Sequence, residues 1–543
     1  MKTNKIFKSI LFAATLVLFF GCSEEELMED PPHILAPVSL YKTLEGFEAG
    51  MNGIYAEWRR ERSGVNYGNP NRYMLDPAVV GTDVVFPNQR AGWGSSVASK
   101  FYNNTSENGD TRKLWSWLYE IINSCNTLIG ASKTDAGQAL NEEDRNRLVA
   151  EARLFRAWAY RHLTYNWGDV PLALEVGTNG TALRDDWTRT PVEDVRRQME
   201  QDLLFAEENL PETRSRPGSL VKGVATHYLA ELYLELDPEK AVTKAEELIN
   251  NGPYSLITSR YGVEANKPGT PFTDMFLDGN SNKSEGNTEA IWVMQNEPLT
   301  IGGDFNLMRR WFRGQSHRID VDGVSGAIIF SVENGGRGLQ RNGPTRYAME
   351  LYEEGDDRGS RFAWRDYEIL NNPEIIPDGW ELGDTVFFDW RGKDEEMKNP
   401  YWPSTKKWDY ADPNDVSGTT NFNDQVYLRL GETYLILAEA QLLTNDKEGA
   451  ANTINVLRRR ANANEISASD VDIDFILDER SRELWSEEHR RYSLRRAGKW
   501  FERVSQHNMV SGPTATENRD ELLPIPQMVI DVNTVEFPQN PGY

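Results

Sequence analysis

The chain has 543 residues, 39% of them apolar and 26% charged, and a formal net charge of −25. That length can bury a large core, in one domain or several, and that charge repels phosphate backbones, which excludes DNA and RNA as partners. Two cysteines leave no disulfide framework, no Cys/His spacing suggests zinc, and no cofactor is expected.

The first 40 residues read as an address. Lys2, Lys5 and Lys8 precede an apolar run, Ile10–Phe20, too short to span a bilayer, so residues 1–21 are expected to be a signal peptide. Cys22 follows Gly21 directly, as in a lipobox, and is the expected lipidation site that ties the chain to membrane lipid. Residues 22–40, with Glu24–Glu26 and Pro31-Pro32, form a polar tether. Loss of the leader removes three lysines and no acids, taking the charge to −28. Cys125 is then alone, a small hydrophobe on a helical pattern.

Residues 41–253 carry helical periodicity. Leu44 to Trp58 forms one amphipathic helix and Leu114–Ile129 its partner, with a long Gly/Asn/Ser-rich insertion at 63–110. Asn141 caps a helix through Tyr165, whose first turn holds Glu142, Glu143 and Asp144. Leu148, Ala152, Phe155 and Ala159 make one face, and Leu154, Trp158 and Tyr165 a second, so the helix is expected to be clasped on two sides. Gly168 and Pro171 end it. Its partner is 191–209, with Thr190–Glu193 as a capping box and Pro191 at the first helical position. A third pair is 220–236 with 238–250; a fourth, far downstream, is 426–443 with 447–463. The fold class is mainly α: tetratricopeptide-like helix pairs without a strict period.

Residues 254–425 lose that periodicity. Gly, Asn, Pro and Asp clusters punctuate short runs such as 290–295 and 385–390, and seven of the sixteen tryptophans fall here. This stretch is expected to be a loop-rich, partly irregular subdomain with some aromatics facing solvent. Residues 426–543 complete the chain. There Glu479, Glu483 and Glu487 share a helical face, with arginines nearby, and read as an ion network rather than the acid pair of a glycosidase. No G-x-S-x-G and no H-E-x-x-H occurs, so no catalytic residue is assigned.

Several runs together resemble one family. Arg156-Ala157, Tyr160 and Leu163 precede Gly168–Leu172, GDVPL; Gly343–Thr345 and Asp356–Arg358 resemble its P-T and D-P-R runs. Arg429–Ala440 is similar to R-L-x-E-x-Y-L-x-x-A-E-A, and Ile454–Ala461 to I-N-x-[VL]-R-x-R-A. Glu479-Arg480 with Glu483-Leu484 resembles its E-R-x-x-E-L helix, and Leu523–Pro526 and Gln539–Tyr543 its close. The chain thus resembles the SusD/RagB proteins, surface glycan-binding lipoproteins of Bacteroidetes-type outer membranes. Acids behind the lipidated cysteine, as at Glu24–Glu26, resemble the surface-export signal of such lipoproteins.

The resemblance implies a lipid-anchored outer-membrane protein facing the cell exterior. It implies that the protein captures oligosaccharides or polysaccharides and passes them to a TonB-dependent, SusC-like transporter, without catalysis. Two other readings stay open: a repeat scaffold that binds only protein, and a surface glycosidase. Sugar rings stack on flat aromatics while hydroxyls take hydrogen bonds. Trp93, flanked by Gly92 and Gly94 in the loop 81–96, is one candidate. The run Arg309–Arg318 is the other, since it reverses the local sign of an acidic chain. There Trp311 and Phe312 offer rings, and Arg310 or Arg313 could fork a hydroxyl pair or a carboxylate, unless these residues fill a core and pair with acids.

Overall fold

The helix Glu142–Trp167 is the axis on which the other elements pack. In the computed structural model, which describes residues 40–64, 74, 76–88, 100–176, 178–179, 182–213, 216–303, 305–395 and 400–543, it begins at Asn141, whose side chain accepts from the Asp144 N–H at 2.8 Å. It stops at Gly168, where φ is 73°. From Leu148 onward every residue except Arg153 is buried, so the helix is enclosed all round and not only on the two expected stripes. Gly109–Ala131, Val192–Asn209 and Leu44–Ser63 pack around it, and Lys222–Leu236 pairs with Pro238–Asn251 beyond. Trp158 meets Trp117 edge-on at 5.6 Å, and Trp58 stacks flat on Trp292 at 3.9 Å. The signal segment, the tether with Cys22, and Trp93 lie outside the described residues.

Two expected elements form differently. The 192–209 helix has no side-chain cap from Thr190, because Thr190 is held in an antiparallel bridge with Val170. Asp169 supplies the cap instead, accepting from the Val192 N–H at 2.8 Å. The expected helix 426–443 begins as a strand: Gln425–Arg429 pairs antiparallel with Ala290–Met294, and the helix is Leu430–Leu443. Val426, Tyr427 and Leu428 suit a strand buried on both faces, which apolar periodicity alone does not separate from a buried helix.

The loop-rich part is built from short ladders. Val85–Pro87 pairs with Asn342–Pro344, Trp364–Arg365 with Ser404–Thr405, and Tyr367–Ile369 with Thr385–Phe387. A second core of Phe86, Ile319, Ile328, Leu370, Trp390 and Trp402 lies beneath them. The tryptophan surplus goes inward: among the described residues only Trp187 and Trp380 keep part of their surface exposed.

Charge joins these parts. Glu479 accepts from Arg358, Arg458 and Arg482 at 2.8–2.9 Å, and Glu483 from Arg358, Arg429 and Arg460. Glu487 binds Arg429 at 2.6 Å and also Lys407. Arg429 and Arg460 share Glu289, at 2.9 and 3.0 Å. All these groups are buried. Gly431 lies against the cluster, where a Cβ would sit 2.5 Å from the Arg429 guanidinium and 2.9 Å from Glu483. Burial alone would raise the Glu479 carboxyl; Arg358, Arg482 and Arg458 outweigh it and hold it at about 2. Asp83, between Arg490 and Arg503, is held at about 2 in the same way.

Removing one partner leaves the others buried and unpaired, so Glu479→Gln is expected to cost about 3–5 kcal/mol, read from the denaturation midpoint. Because the folded-state values of Glu479 and Asp83 lie below their ordinary 4.5 and 3.8, their contribution is complete above pH 4.5. It fades as pH falls toward about 2. A melting temperature unchanged between pH 5 and pH 2.5 would contradict this.

Candidate ligand-binding face

The arginine-rich run folds as a one-turn helix, Met308–Phe312, followed by a 3-10 turn, Ser316–Arg318. Trp311 and Phe312 face inward at 1% and 0% exposure, and Phe312 meets Trp485 edge-on at 5.6 Å. Arg313 is equally buried; it pairs with Glu368 at 2.7 Å, lies 3.5 Å from Asp409, and donates to the Asn334 carbonyl at 2.6 Å. The expectation that Trp311, Phe312 and Arg313 meet a sugar is therefore corrected. Both rings fill the core between the loop-rich part and the helices, and the charge of Arg313 is neutralised from below. Arg309, in the same turn, is buried and donates to the Tyr410 and Gly418 carbonyls.

Arg310 differs from its neighbours. It is half-buried and feels the charge of Arg337, which forms a group with His317 and Phe330 that the sequence did not single out as ligands. The Phe330 ring lies 5.1 Å from the His317 ring, tilted by 52°, with the Arg337 guanidinium 5.9 Å from its centre. The turn at Gly335-Gly336, with φ of 72° and 71°, lets the 331–337 loop close on Arg309, since a Cβ on Gly336 would sit 2.7 Å from that guanidinium.

This cluster is electrostatically incomplete. The Nε atoms of Arg310 and Arg337 and the Nδ1 of His317 are buried without a hydrogen-bond partner. Burial and the adjacent Arg337 pull the Arg310 guanidinium below its ordinary value. Burial, then Arg318, Arg337 and Arg313, push His317 down to about 4, so its ring is neutral at pH 7. Two of the local acids are engaged elsewhere: Glu368 with Arg313, and Asp409 with Arg365 at 2.6 Å.

The main chain brings the two expected segments to one place. The Leu339 N–H donates to the Arg310 carbonyl at 3.1 Å and the Gln340 N–H to that of Arg313 at 2.8 Å. The Asn88 N–H donates to the Arg341 carbonyl at 2.7 Å. The segment carrying Trp93 thus leaves its strand two residues from Leu339, the residue bonded to Arg310.

In other recesses, some of the cations are already satisfied. In a crevice of about 530 Å³ with Phe272, Phe276 and Phe362 in its wall, Arg260 pairs with Asp274 at 2.6 Å. In another of about 680 Å³, Lys283 donates to the Pro253 carbonyl at 2.6 Å. Glu61, His162 and His489 have metal-ligand spacing among the described residues, and the Nε2 atoms of both histidines are buried without a hydrogen-bond partner. The Arg161 guanidinium lies 3.1 Å from His489 Nδ1, which leaves the proton on Nε2, 3.5 Å from Glu61.

Comparison with known proteins agrees with this architecture. A family model described as "SusD family" matches residues 388–543, and one described as "Starch-binding associating with outer membrane" matches 80–234. A SusD-like protein P2 of Formosa agariphila is 26% identical over 554 aligned positions, which cover 98% of this chain and 99% of that protein. A SusD homolog from Bacteroides thetaiotaomicron superposes with a TM-score of 0.72 at 19% identity, covering 93% of this chain and 98% of the other. A laminarin-binding SusD-like protein gives 0.69 at 20% identity, covering 93% of this chain and 100% of the other. The chain belongs to the SusD/RagB family.

If Trp311 is a core residue, Trp311→Ala loses about 3–5 kcal/mol of stability, whereas half-exposed Phe330→Ala loses about 1 kcal/mol or less. Chemical denaturation of the two variants reads the difference. Equal midpoints would return Trp311 to the list of ligand residues.

Proposed function

We propose that the protein is a cell-surface, lipid-anchored glycan-binding protein that captures oligosaccharides and passes them to a partner TonB-dependent outer-membrane transporter. We place its saccharide contacts on the face formed by Arg310, His317, Phe330 and Arg337. The observation that carries this reading is the convergence of two segments more than 200 residues apart in sequence, the root of the 81–96 loop and the 309–318 run, on one cationic, aromatic face. Family membership and a laminarin-binding structural relative support the ligand class. A partly exposed ring beside hydrogen-bond donors is what a sugar needs: the ring meets C–H faces and the donors meet oxygens.

Binding without hydrolysis is supported by the fate of the best acid candidates. Glu479, Glu483 and Glu487 are buried in ion pairs and held below their ordinary carboxyl values, so none is placed to donate a proton to a glycosidic oxygen. Cys22, behind a short apolar run, is the anchor in this reading.

The soluble chain from residue 23 onward is expected to be retarded in affinity gels containing its cognate polysaccharide while releasing no reducing sugar. Release of reducing ends that scales with protein would make it an enzyme. Cys22→Ala is expected to move the protein out of the membrane fraction, and wild-type protein fully protected from protease on intact cells would contradict surface exposure.

A further inference from the structure

We infer that the saccharide recognised at the Arg310–Arg337 face is anionic, carrying a carboxylate or sulfate group that the two guanidinium groups share. This rests on the glycan-binding reading above and adds the charge of the ligand. The ground for it is the setting of Arg310. Most buried arginines among the described residues meet carboxylates, as Arg156 meets Asp202 and Arg161 meets Glu231, or backbone carbonyls, as Arg309, Arg491 and Arg495 do. Arg310 has neither among the described residues, and the charged group nearest to it electrostatically is another cation, Arg337. The Arg337 guanidinium donates, among the described residues, to the Ser417 carbonyl at 3.4 Å through Nη1.

Two half-buried cations that repel each other, each with an unpaired Nε–H, are unfavourable by themselves. A neutral hydroxyl could accept one hydrogen bond but would leave the repulsion in place. A carboxylate or sulfate removes the repulsion and accepts from both forks, and charge-assisted bonds of that geometry are among the strongest available. Phe330 stands where the apolar face of the same sugar ring would lie, within 6 Å of Arg337 and beside His317. The strongly negative charge of the chain makes this patch harder to explain as a general solubility feature.

The experiment is calorimetric titration of the soluble protein with oligosaccharides of matched length: neutral ones from starch and laminarin, uronate-bearing ones from alginate and polygalacturonate, and sulfated ones from carrageenan. It is run on wild type, Arg310→Gln and Arg337→Gln at low and high salt. Binding confined to one or more charged ligands is expected, with affinity falling about tenfold or more in either variant and weakening as salt shortens the screening length to below about 8–10 Å. Melting temperature supplies the control: either substitution should leave it unchanged or raised, because like-charge repulsion is relieved. Preference for a neutral oligosaccharide, unchanged in both variants, overturns the anionic assignment and leaves the glycan-binding function standing. A lowered melting temperature with unchanged affinity for a charged ligand makes the arginines structural and overturns it as well. No binding to any of these, nor to a broader glycan array, fails the parent reading.

Discussion

The buried ion cluster centred on Glu479, Glu483 and Glu487 is the constraint on which the rest of the structure depends. Its members come from distant parts of the chain: Glu289 from the residue before the strand Ala290–Met294, Arg358 and Lys407 from the loop-rich part, Arg429 from the partner strand, Arg458 and Arg460 from the helix Lys447–Arg460. A carboxylate taken out of water needs its cations at fixed positions, so each contact places one segment relative to another. Apolar packing closes the helices on each other but is non-directional; the guanidinium forks add the direction. Asp83 does the same elsewhere, joining Arg490 and Arg503 to a segment within the long insertion.

The framework explains how loops with little regular structure hold a defined face. Residues 309–313 are locked from below by Glu368, Asp409 and two carbonyls, and the Phe312 ring sits against Trp485 of the helical part. Arg310 is therefore displayed by a rigid turn. A long cationic side chain on a mobile loop would lose its rotamer freedom on binding, and here part of that ordering is already in place. Arg309 and Arg313 are held by carbonyls and acids, whereas Arg310, in the same turn, has no such partner among the described residues.

The same division applies to the aromatics. Trp58, Trp117, Trp158 and Trp292 form edge-on and stacked contacts around the central helix, and Trp364, Trp390, Trp402 and Trp485 continue that packing into the loop-rich part. A fold with short ladders buries little area per residue through its backbone, and large rings compensate. Among the described residues, the partly exposed ring beside Arg337 is a phenylalanine, Phe330.

The sequence by itself determined the helical half, the caps at Asn141 and Gly168, and the family, because these depend on periodicity and on local spacing that a reader of residues can follow. It also determined that the glutamate row of 479, 483 and 487 belongs to an ion network, since arginines surround it in the chain. Only the tertiary structure decided which rings are core. Trp311 and Phe312 lie in a segment without periodicity, where nothing local says which side is covered, and their burial comes from Trp485 and its neighbours far along the chain. The strand at 425–429 was hidden for a related reason: its middle, Val426–Leu428, is buried on both faces and has no polar face to betray its period, and its partner at 290–294 lies far back in the chain. Phe330 and Arg337 could not be joined to Arg310 before the chain was folded, because the contact is made by a glycine turn and by long-range hydrogen bonds rather than by any motif.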